Sequence, residues 1–144
     1  MDVGVVIVTH YRLGEEFLQV LHLIVPDAPR FLTVSVDPKQ TVDELHSEIS
    51  GCLREADNGD GVLVLTDMFG GTPSNISLSF HEEQHVEVVT GMNLPMLIKL
   101  ATLRDDKPLE ELAAMIREYG RRNISVASEL LPEKRADHSN SGGA

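Results

Sequence analysis

A short apolar run, Gly61–Leu65, is followed within a few residues by a carboxylate, two glycines and a proline. Five consecutive apolar residues are typical of a strand that is buried on both faces of a parallel sheet. Asp67 comes directly after this run, where a strand gives way to a loop. The pattern therefore predicts a central parallel strand with a carboxylate at its carboxyl end.

The residues after Asp67 predict a turn that leads into a helix. Gly70 and Gly71 can adopt positive φ and let a ligand approach the backbone closely. Thr72 and Pro73 predict a helix N-cap followed by proline at the first helical position. Because the N–H groups at a helix start attract anions, this stretch predicts a phosphate-binding turn. It contains no nucleophile, which has to come from another part of the chain.

The rest of the chain alternates between apolar runs and amphipathic stretches. Strands are predicted at Val3–Thr9, Phe31–Val36, Gly61–Leu65 and Val86–Val89, with a short last strand at Ile124–Ala127. Helices are predicted at Glu15–Ile24, Thr41–Ala56, Thr72–Phe80, Leu94–Leu103 and Leu109–Tyr119, the second of them capped by Thr41 and the last ended by Gly120. This order predicts an α/β, three-layer sandwich with a mainly parallel central sheet.

Length and composition favour one soluble globular domain, which we assign to residues 1–131. Residues 132–144 are polar and rich in serine and glycine, so we expect a disordered, dispensable tail. We expect neither a signal peptide nor a membrane helix, because the start of the chain is not basic and no apolar run reaches ~20 residues. A formal charge of −11 argues against nucleic acid as a partner.

His10 is the candidate nucleophile. In parallel sheets ligands bind beyond the carboxyl ends of the strands, where three polar turns are predicted to meet: Thr9-His10, Asp67–Thr72 and Gly91–Asn93. Asp67 would accept a hydrogen bond from the protonated nitrogen of the imidazole, while the other nitrogen attacks. Gly70, Gly71 and Thr72 would hold the oxygens of the transferred group. The alternative is structural: a histidine that ends a strand and an aspartate that caps a turn.

Several other classes of site lack their motifs. The chain has no G-x-x-x-x-G-K-[ST] and no G-x-G-x-x-G after the first strand, which disfavours P-loop and dinucleotide folds. A receiver domain needs an acidic pair where Thr9 and His10 stand. The remaining histidines lack metal-ligand spacing; these histidines are His22, His46, His81, His85 and His138. Cys52 lies on the apolar stripe of its helix. We therefore expect no metal and no cofactor.

Three segments in order resemble the mannose-family enzyme IIA domains of the sugar phosphotransferase system (PTS). They are Val5–His10, Leu65–Asn75 and Thr90–Leu97, and the similarity extends from about Val3 to Leu131. The resemblance implies a cytoplasmic phosphocarrier that accepts a phosphoryl group on histidine from the carrier protein HPr. Such proteins normally pass the group to an enzyme IIB domain.

The same resemblance implies roles for individual residues. His10 corresponds to the phosphorylated residue, Asp67 to its hydrogen-bonding partner, and Thr72 to a hydroxyl residue that contacts the phosphate with the loop amides. Two positions depart from the family pattern. Tyr11 replaces a glycine that commonly follows the active histidine, and Phe69 stands where transport members often have tryptophan.

The assembly and the physiological role are further expectations. The resemblance implies a homodimer that exchanges an antiparallel last strand, Ile124–Ala127, which is too short to gain much on its own subunit. The chain also resembles stand-alone IIA proteins of regulatory phosphotransferase systems. Two alternatives stay open: a signalling module whose phosphorylation state controls a regulatory protein without onward transfer, and a non-covalent binder of a phosphorylated ligand.

Overall fold

The computed structural model of the chain describes residues 2–131. The predicted disordered tail, residues 132–144, lies outside the described residues, as does its histidine. Within residues 2–131, no helix has both the length and the apolar character needed to cross a membrane.

Strands and helices alternate along most of the chain, as the sequence predicts. The strands are β1 (Gly4–His10), β2 (Leu32–Val36), β3 (Val62–Thr66) and β4 (Val86–Thr90). The helices are α1 (Leu13–Ile24), α2 (Val42–Ala56), α3 (Gly71–Leu78), α4 (Leu94–Thr102) and α5 (Leu109–Arg122), and a single 3₁₀ turn spans Ala127–Leu130. The α/β fold class is confirmed.

The four strands form one parallel sheet in the order β2-β1-β3-β4. In this register Val8 pairs with Thr66, and Thr66 pairs with Thr90. His10 pairs with Val36 at the end of β2. All four carboxyl ends therefore lie at one edge of the sheet, with His10 at the end of the strand next to β3.

The core consists of two apolar layers, one on each face of the sheet. Alternate residues of each central strand face opposite sides, so that Ile7 and Leu65 belong to one layer and Val8 and Val64 to the other. Helices α1, α4 and α5 cover the first layer through buried residues including Leu21, Leu97 and Ile116. Helices α2 and α3 cover the second through residues including Ile49, Leu53 and Ile76, and Phe80 joins this layer just after α3. This is the predicted three-layer sandwich.

The predicted last strand is not formed within the single chain. Residues 124–126 have no regular secondary structure, and the 3₁₀ turn begins at Ala127. Ile124 and Val126 are 76% and 60% exposed. A short segment at a sheet edge has little to gain without a pairing partner, which is the physical reason for the difference. Exchange of this segment between subunits stays a prediction.

Helix α5 does not end at Gly120 but continues to Arg122. A Cβ atom at Gly120 would lie only 2.5 Å from the sulfur of Met96. The absence of a side chain at Gly120 therefore lets α4 and α5 pack closely, and this glycine does not terminate the helix.

Candidate functional site

His10 and Asp67 lie side by side at the carboxyl edge of the sheet. Nδ1 of His10 is 2.8 Å from Oδ2 of Asp67. The same oxygen accepts the backbone N–H of His10 at 3.0 Å, while Oδ1 accepts the N–H of Met68 at 3.1 Å. These three bonds hold the carboxylate in one orientation. The side chain of Asp67 is 11% exposed, whereas that of His10 is 44% exposed.

This geometry assigns the tautomer of the imidazole. Because Nδ1 of His10 faces a carboxylate oxygen, it is the nitrogen that carries the proton and donates a hydrogen bond to Asp67. Nε2 then holds a free lone pair on a ring that solvent can reach. The pair can thus present an oriented nucleophile next to a negative charge that would stabilise a cationic ring.

The glycine turn lies against the nucleophilic side of the ring. Gly70 and Gly71 both have φ of +80°, the left-handed region that favours glycine. A Cβ atom at Gly71 would be 3.1 Å from both Cε1 and Nε2 of His10. The backbone therefore approaches Nε2 at a distance that a larger residue would disturb.

The start of α3 differs from the sequence prediction. Thr72 was expected to cap the helix, with Pro73 as its first residue, and this is wrong: the helix begins at Gly71 and its N-cap residue is Gly70. No side chain caps this end. The two positive φ values turn the chain into the helix earlier than the Thr-Pro pattern indicates. The first amide groups of α3 thus lack a side-chain partner and can bind an anion.

The third predicted turn does not contribute its polar side chain to the site. The Asn93 carbonyl oxygen caps α4 by accepting the N–H of Met96 at 3.2 Å. Its amide donates to the carbonyl of Gly120 in α5 at 3.0 Å. Asn93 therefore stabilises the packing of two helices: its turn lies at the predicted edge of the sheet, but its side chain is bonded within the fold.

The turn from β1 into α1 carries a feature that the sequence pattern did not indicate. Tyr11 has φ of +46° and is the only non-glycine residue with positive φ among residues 2–131. Such a conformation costs a tyrosine about 1–2 kcal/mol. The resemblance to a family with glycine at this position was the available signal.

Exposed apolar side chains flank the His10–Asp67 pair in sequence. Tyr11 and Leu13 follow His10, and Met68 and Phe69 follow Asp67; all four are exposed. Both turns of the site therefore carry apolar side chains at the surface.

The remaining candidate residues are used elsewhere. His46 stacks on Phe80 with ring centroids 4.4 Å apart, His81 bonds to the Val86 carbonyl and His85 to Glu110. Burial, followed by the charges of Glu55 and Glu48, raises the pKa of the Cys52 thiol to about 11, so the thiol stays protonated at neutral pH. Residues 2–131 hold no group of three His, Cys, Asp or Glu side chains that could bind a metal ion.

Comparison with protein families identifies residues 4–117 with the family described as "PTS system fructose IIA component". The chain is 30% identical over 138 residues to the PTS system mannose-specific EIIAB component of Escherichia coli, a match that covers 94% of this chain and 43% of that protein. It thus spans less than half the length of that relative. It is also 27% identical to the PTS system sorbose-specific EIIA component of Lacticaseibacillus casei, over 88% of this chain and 92% of the relative.

Solved structures give the same result. The mannose/sorbose specific IIA subunit of the phosphotransferase system from Enterococcus faecalis matches with a TM-score of 0.80 and 28% identity, over 88% of this chain and 95% of that chain. The PTS IIA protein associated with the fucose utilization operon of Streptococcus pneumoniae matches with a TM-score of 0.78 and 26% identity, over 91% and 97%.

Proposed function

The chain belongs to the family of PTS IIA components of the fructose and mannose type, and from this premise we propose that it carries a phosphoryl group on Nε2 of His10. The observation that carries the proposal is the 2.8 Å bond between Nδ1 of His10 and Asp67, because it leaves Nε2 free beside Gly71. Gly70, Gly71 and Thr72 would bind the phosphoryl oxygens through the amides of the uncapped helix start and the threonine hydroxyl.

The transfer step needs no proton to leave the ring. The lone pair on Nε2 of His10 forms a bond to phosphorus as the phosphorus–nitrogen bond of the donor's phosphohistidine breaks, and the electron pair of that bond returns to the donor's imidazole. Nδ1 keeps its proton, and the ring becomes cationic beside the Asp67 carboxylate. The carboxylate of Asp67 thus stabilises the positive charge on the imidazole ring, and the α3 amides stabilise the negative charge on the phosphoryl oxygens.

The partners follow from the family. An HPr-type carrier would supply the phosphoryl group, and an enzyme IIB would receive it; all of these steps take place in the cytoplasm. The alternative role is a regulatory one, in which the phosphorylated form controls a partner protein and no onward transfer occurs. Any contact with a membrane would be indirect, through a permease.

We also propose a homodimer. β4 is an edge strand of the sheet, and a groove of about 450 Å³ runs beside it, lined by residues including Val88, Ala113, Arg117 and Ile124. Ile124 and Val126 leave α5 with exposed apolar side chains. Pairing with a second copy would complete the sheet edge and cover these side chains. A monomer mass in light scattering at micromolar concentration would contradict the dimer.

The test of the phosphocarrier is incubation with enzyme I, HPr and phosphoenolpyruvate, followed by mass spectrometry. We expect one phosphoryl group on His10, labile in acid and stable in base, and none in His10→Ala. His85→Ala is a matched control. This exposed histidine directly precedes β4, so it lies at the amino ends of the strands, whereas His10 lies at their carboxyl ends. A non-covalent ligand binder would gain no mass, and full labelling of His10→Ala would overturn the site.

Onward transfer is tested separately with the phosphorylated protein. Loss of the label to a purified IIB of the mannose family supports the transport role. A label that is accepted from HPr but retained in the presence of IIB would favour the regulatory alternative.

A further inference from the structure

Tyr11 is held in its left-handed conformation by the fold around it. Its backbone N–H donates to the carbonyl of Val36 at 2.9 Å. Its carbonyl accepts the hydroxyl of Thr9 at 3.3 Å, and that hydroxyl oxygen in turn accepts the N–H of Gly14 at 2.8 Å. Thr9 is fully buried. The turn between β1 and α1 is thus fixed at both sides of Tyr11, and its φ of +46° is imposed on whichever residue stands there.

A glycine would adopt this conformation without strain, yet the chain has a bulky aromatic residue there. Burial does not compensate for the strain, because the side chain is 60% exposed. The other glycine turns at this edge, Gly70, Gly71 and Gly91, keep glycine where φ is positive. The benefit of a tyrosine at this one position therefore has to come from contact with another molecule.

The position of Tyr11 identifies the class of that molecule. Tyr11 follows His10 directly, and in-line transfer requires the donor phosphorus to approach Nε2 to within ~3–3.5 Å. A protein that carries its phosphoryl group on a histidine side chain must therefore cover the surface around His10. Exposed tyrosine is among the residues that contribute most to such contacts, because it buries a large rigid area at little entropic cost.

We propose that Tyr11 is a specificity-determining residue of this site and that its exposed ring contacts the phosphoryl-donating protein. The inference rests on the proposed phosphocarrier function and adds to it a residue that selects the donor. Tyr11 takes no part in the chemical step; it sets the affinity with which the donor docks beside His10. Leu13, Met68 and Phe69, which are also exposed, belong to the same two turns or the residues next to them.

Three substitutions separate the ring, its hydroxyl and the strain. Tyr11→Gly removes both the ring and the strain, Tyr11→Ala removes the ring and keeps the strain, and Tyr11→Phe keeps the ring. Leu23→Ala is the control. Leu23 is an exposed apolar residue in the last turn of α1, which lies away from the carboxyl ends of the strands and from His10. Initial rates are measured against the concentration of phosphorylated HPr, and in parallel with phosphoramidate, a small donor that needs no docking.

We expect the KM for phosphorylated HPr to rise about tenfold in Tyr11→Gly and in Tyr11→Ala, with kcat changed by less than about threefold. Tyr11→Phe and Leu23→Ala should stay within about twofold of wild type. The rate with phosphoramidate should change by less than about twofold in every variant. The melting temperature of Tyr11→Gly should equal or exceed that of wild type, because glycine relieves the strain.

The outcomes distinguish this inference from the function on which it rests. Normal wild-type transfer with an unchanged KM in both Tyr11→Gly and Tyr11→Ala would overturn the inference alone. A melting temperature several degrees lower in Tyr11→Gly would also overturn it, because Tyr11 would then have a role inside the fold. Failure of wild-type His10 to accept phosphoryl from both donors would overturn the proposed function and this inference with it.

Discussion

Helices α3 and α4 begin at the same edge of the sheet, and their sequences at this point are alike. Each follows a glycine with positive φ and has a proline in its first turn, Pro73 in α3 and Pro95 in α4. Their first amide groups nevertheless differ. In α4 the side chain of Asn93 accepts the N–H of Met96, whereas in α3 no side chain caps the helix. A capped helix start has fewer free backbone N–H groups for a ligand, whereas at an uncapped start these N–H groups can bind an anion.

The two helix starts also differ in what surrounds them. Asn93 is bonded on both sides of its amide group and joins α4 to the carbonyl of Gly120. Thr72 is exposed, and a Cβ atom on the glycine before it would lie 3.1 Å from the ring of His10. One start therefore serves the stability of the fold and the other is available for phosphoryl transfer. Substitutions at the two starts, and at Asp67 between β3 and α3, should separate rate from stability, and four of them test this division.

The largest effect is expected for Asp67→Asn. Asparagine keeps the shape of the side chain but removes its charge, so the cationic phosphorylated ring loses its counter-charge and the imidazole loses its fixed tautomer. Orienting groups of this kind are typically worth ~10²–10⁴-fold in rate. The initial rate of transfer from phosphorylated HPr measures this, with circular dichroism as the folding control. An unimpaired rate would contradict the role assigned to the carboxylate.

Gly71→Ala should follow, with a rate about 10²-fold lower, since a displacement of ~1 Å at a reacting group can cost that much. The added Cβ would lie 3.1 Å from Nε2 of His10. Gly70→Ala is the matched control: Gly70 has the same φ of +80°, but nothing lies within 4 Å of its Cβ position. Both variants carry backbone strain of ~1–3 kcal/mol, and the strain at Gly70 is not the smaller one, because its ψ of 168° lies in a region that essentially only glycine occupies. Equal rates in the two would show that strain, and not crowding of the ring, limits transfer.

Thr72→Val should slow transfer about tenfold and leave stability unchanged. A hydrogen bond to a charged group contributes at least ~1.5 kcal/mol, which corresponds to about tenfold in rate and is lost with the hydroxyl. Because Thr72 does not cap α3, the melting temperature should stay within about 2 °C of wild type. Thr72→Ser retains the hydroxyl and should restore most of the rate. A clear fall in melting temperature would instead support the capping role that the sequence predicted.

The contrast between the two helix starts also shows how far the sequence could be interpreted. Within residues 2–131, apolar runs and hydrophobic periodicity located the four strands and four of the five helices, because each of these elements buries an apolar face. Helix α3 was located by the glycines and the Thr72-Pro73 pattern instead. The Thr41 cap of α2 was predicted and is formed, with the N–H of Glu44 3.1 Å from its hydroxyl. At Thr72 the same type of signal failed. Two consecutive glycines make the entry point of a helix depend on backbone angles that no side chain specifies.

Two further features depend on long-range structure. The edge strand expected at Ile124–Ala127 needs a partner that the single chain does not supply. The left-handed turn at Tyr11 is fixed by two hydrogen bonds, which sequence patterns do not reveal: its N–H donates to Val36 of β2, and its carbonyl accepts from the hydroxyl of Thr9. The proximity of His10 and Asp67 was predictable because parallel strands bring their carboxyl ends together, whereas the tautomer required the actual distance.

Asn93→Ala should have the smallest effect on transfer and the clearest effect on stability. The side chain caps α4 and bonds to Gly120 of α5, so its loss should cost about 1–2 kcal/mol, or a melting temperature lower by ~3–8 °C. The transfer rate at a temperature well below the transition should stay within about twofold of wild type. Asn93→Asp keeps the acceptor for the N–H of Met96 and loses the donor to Gly120. Its melting temperature should therefore lie between that of wild type and that of Asn93→Ala. If either variant slowed transfer as much as Thr72→Val does, the two helix starts would share one function, and the division between them would be wrong.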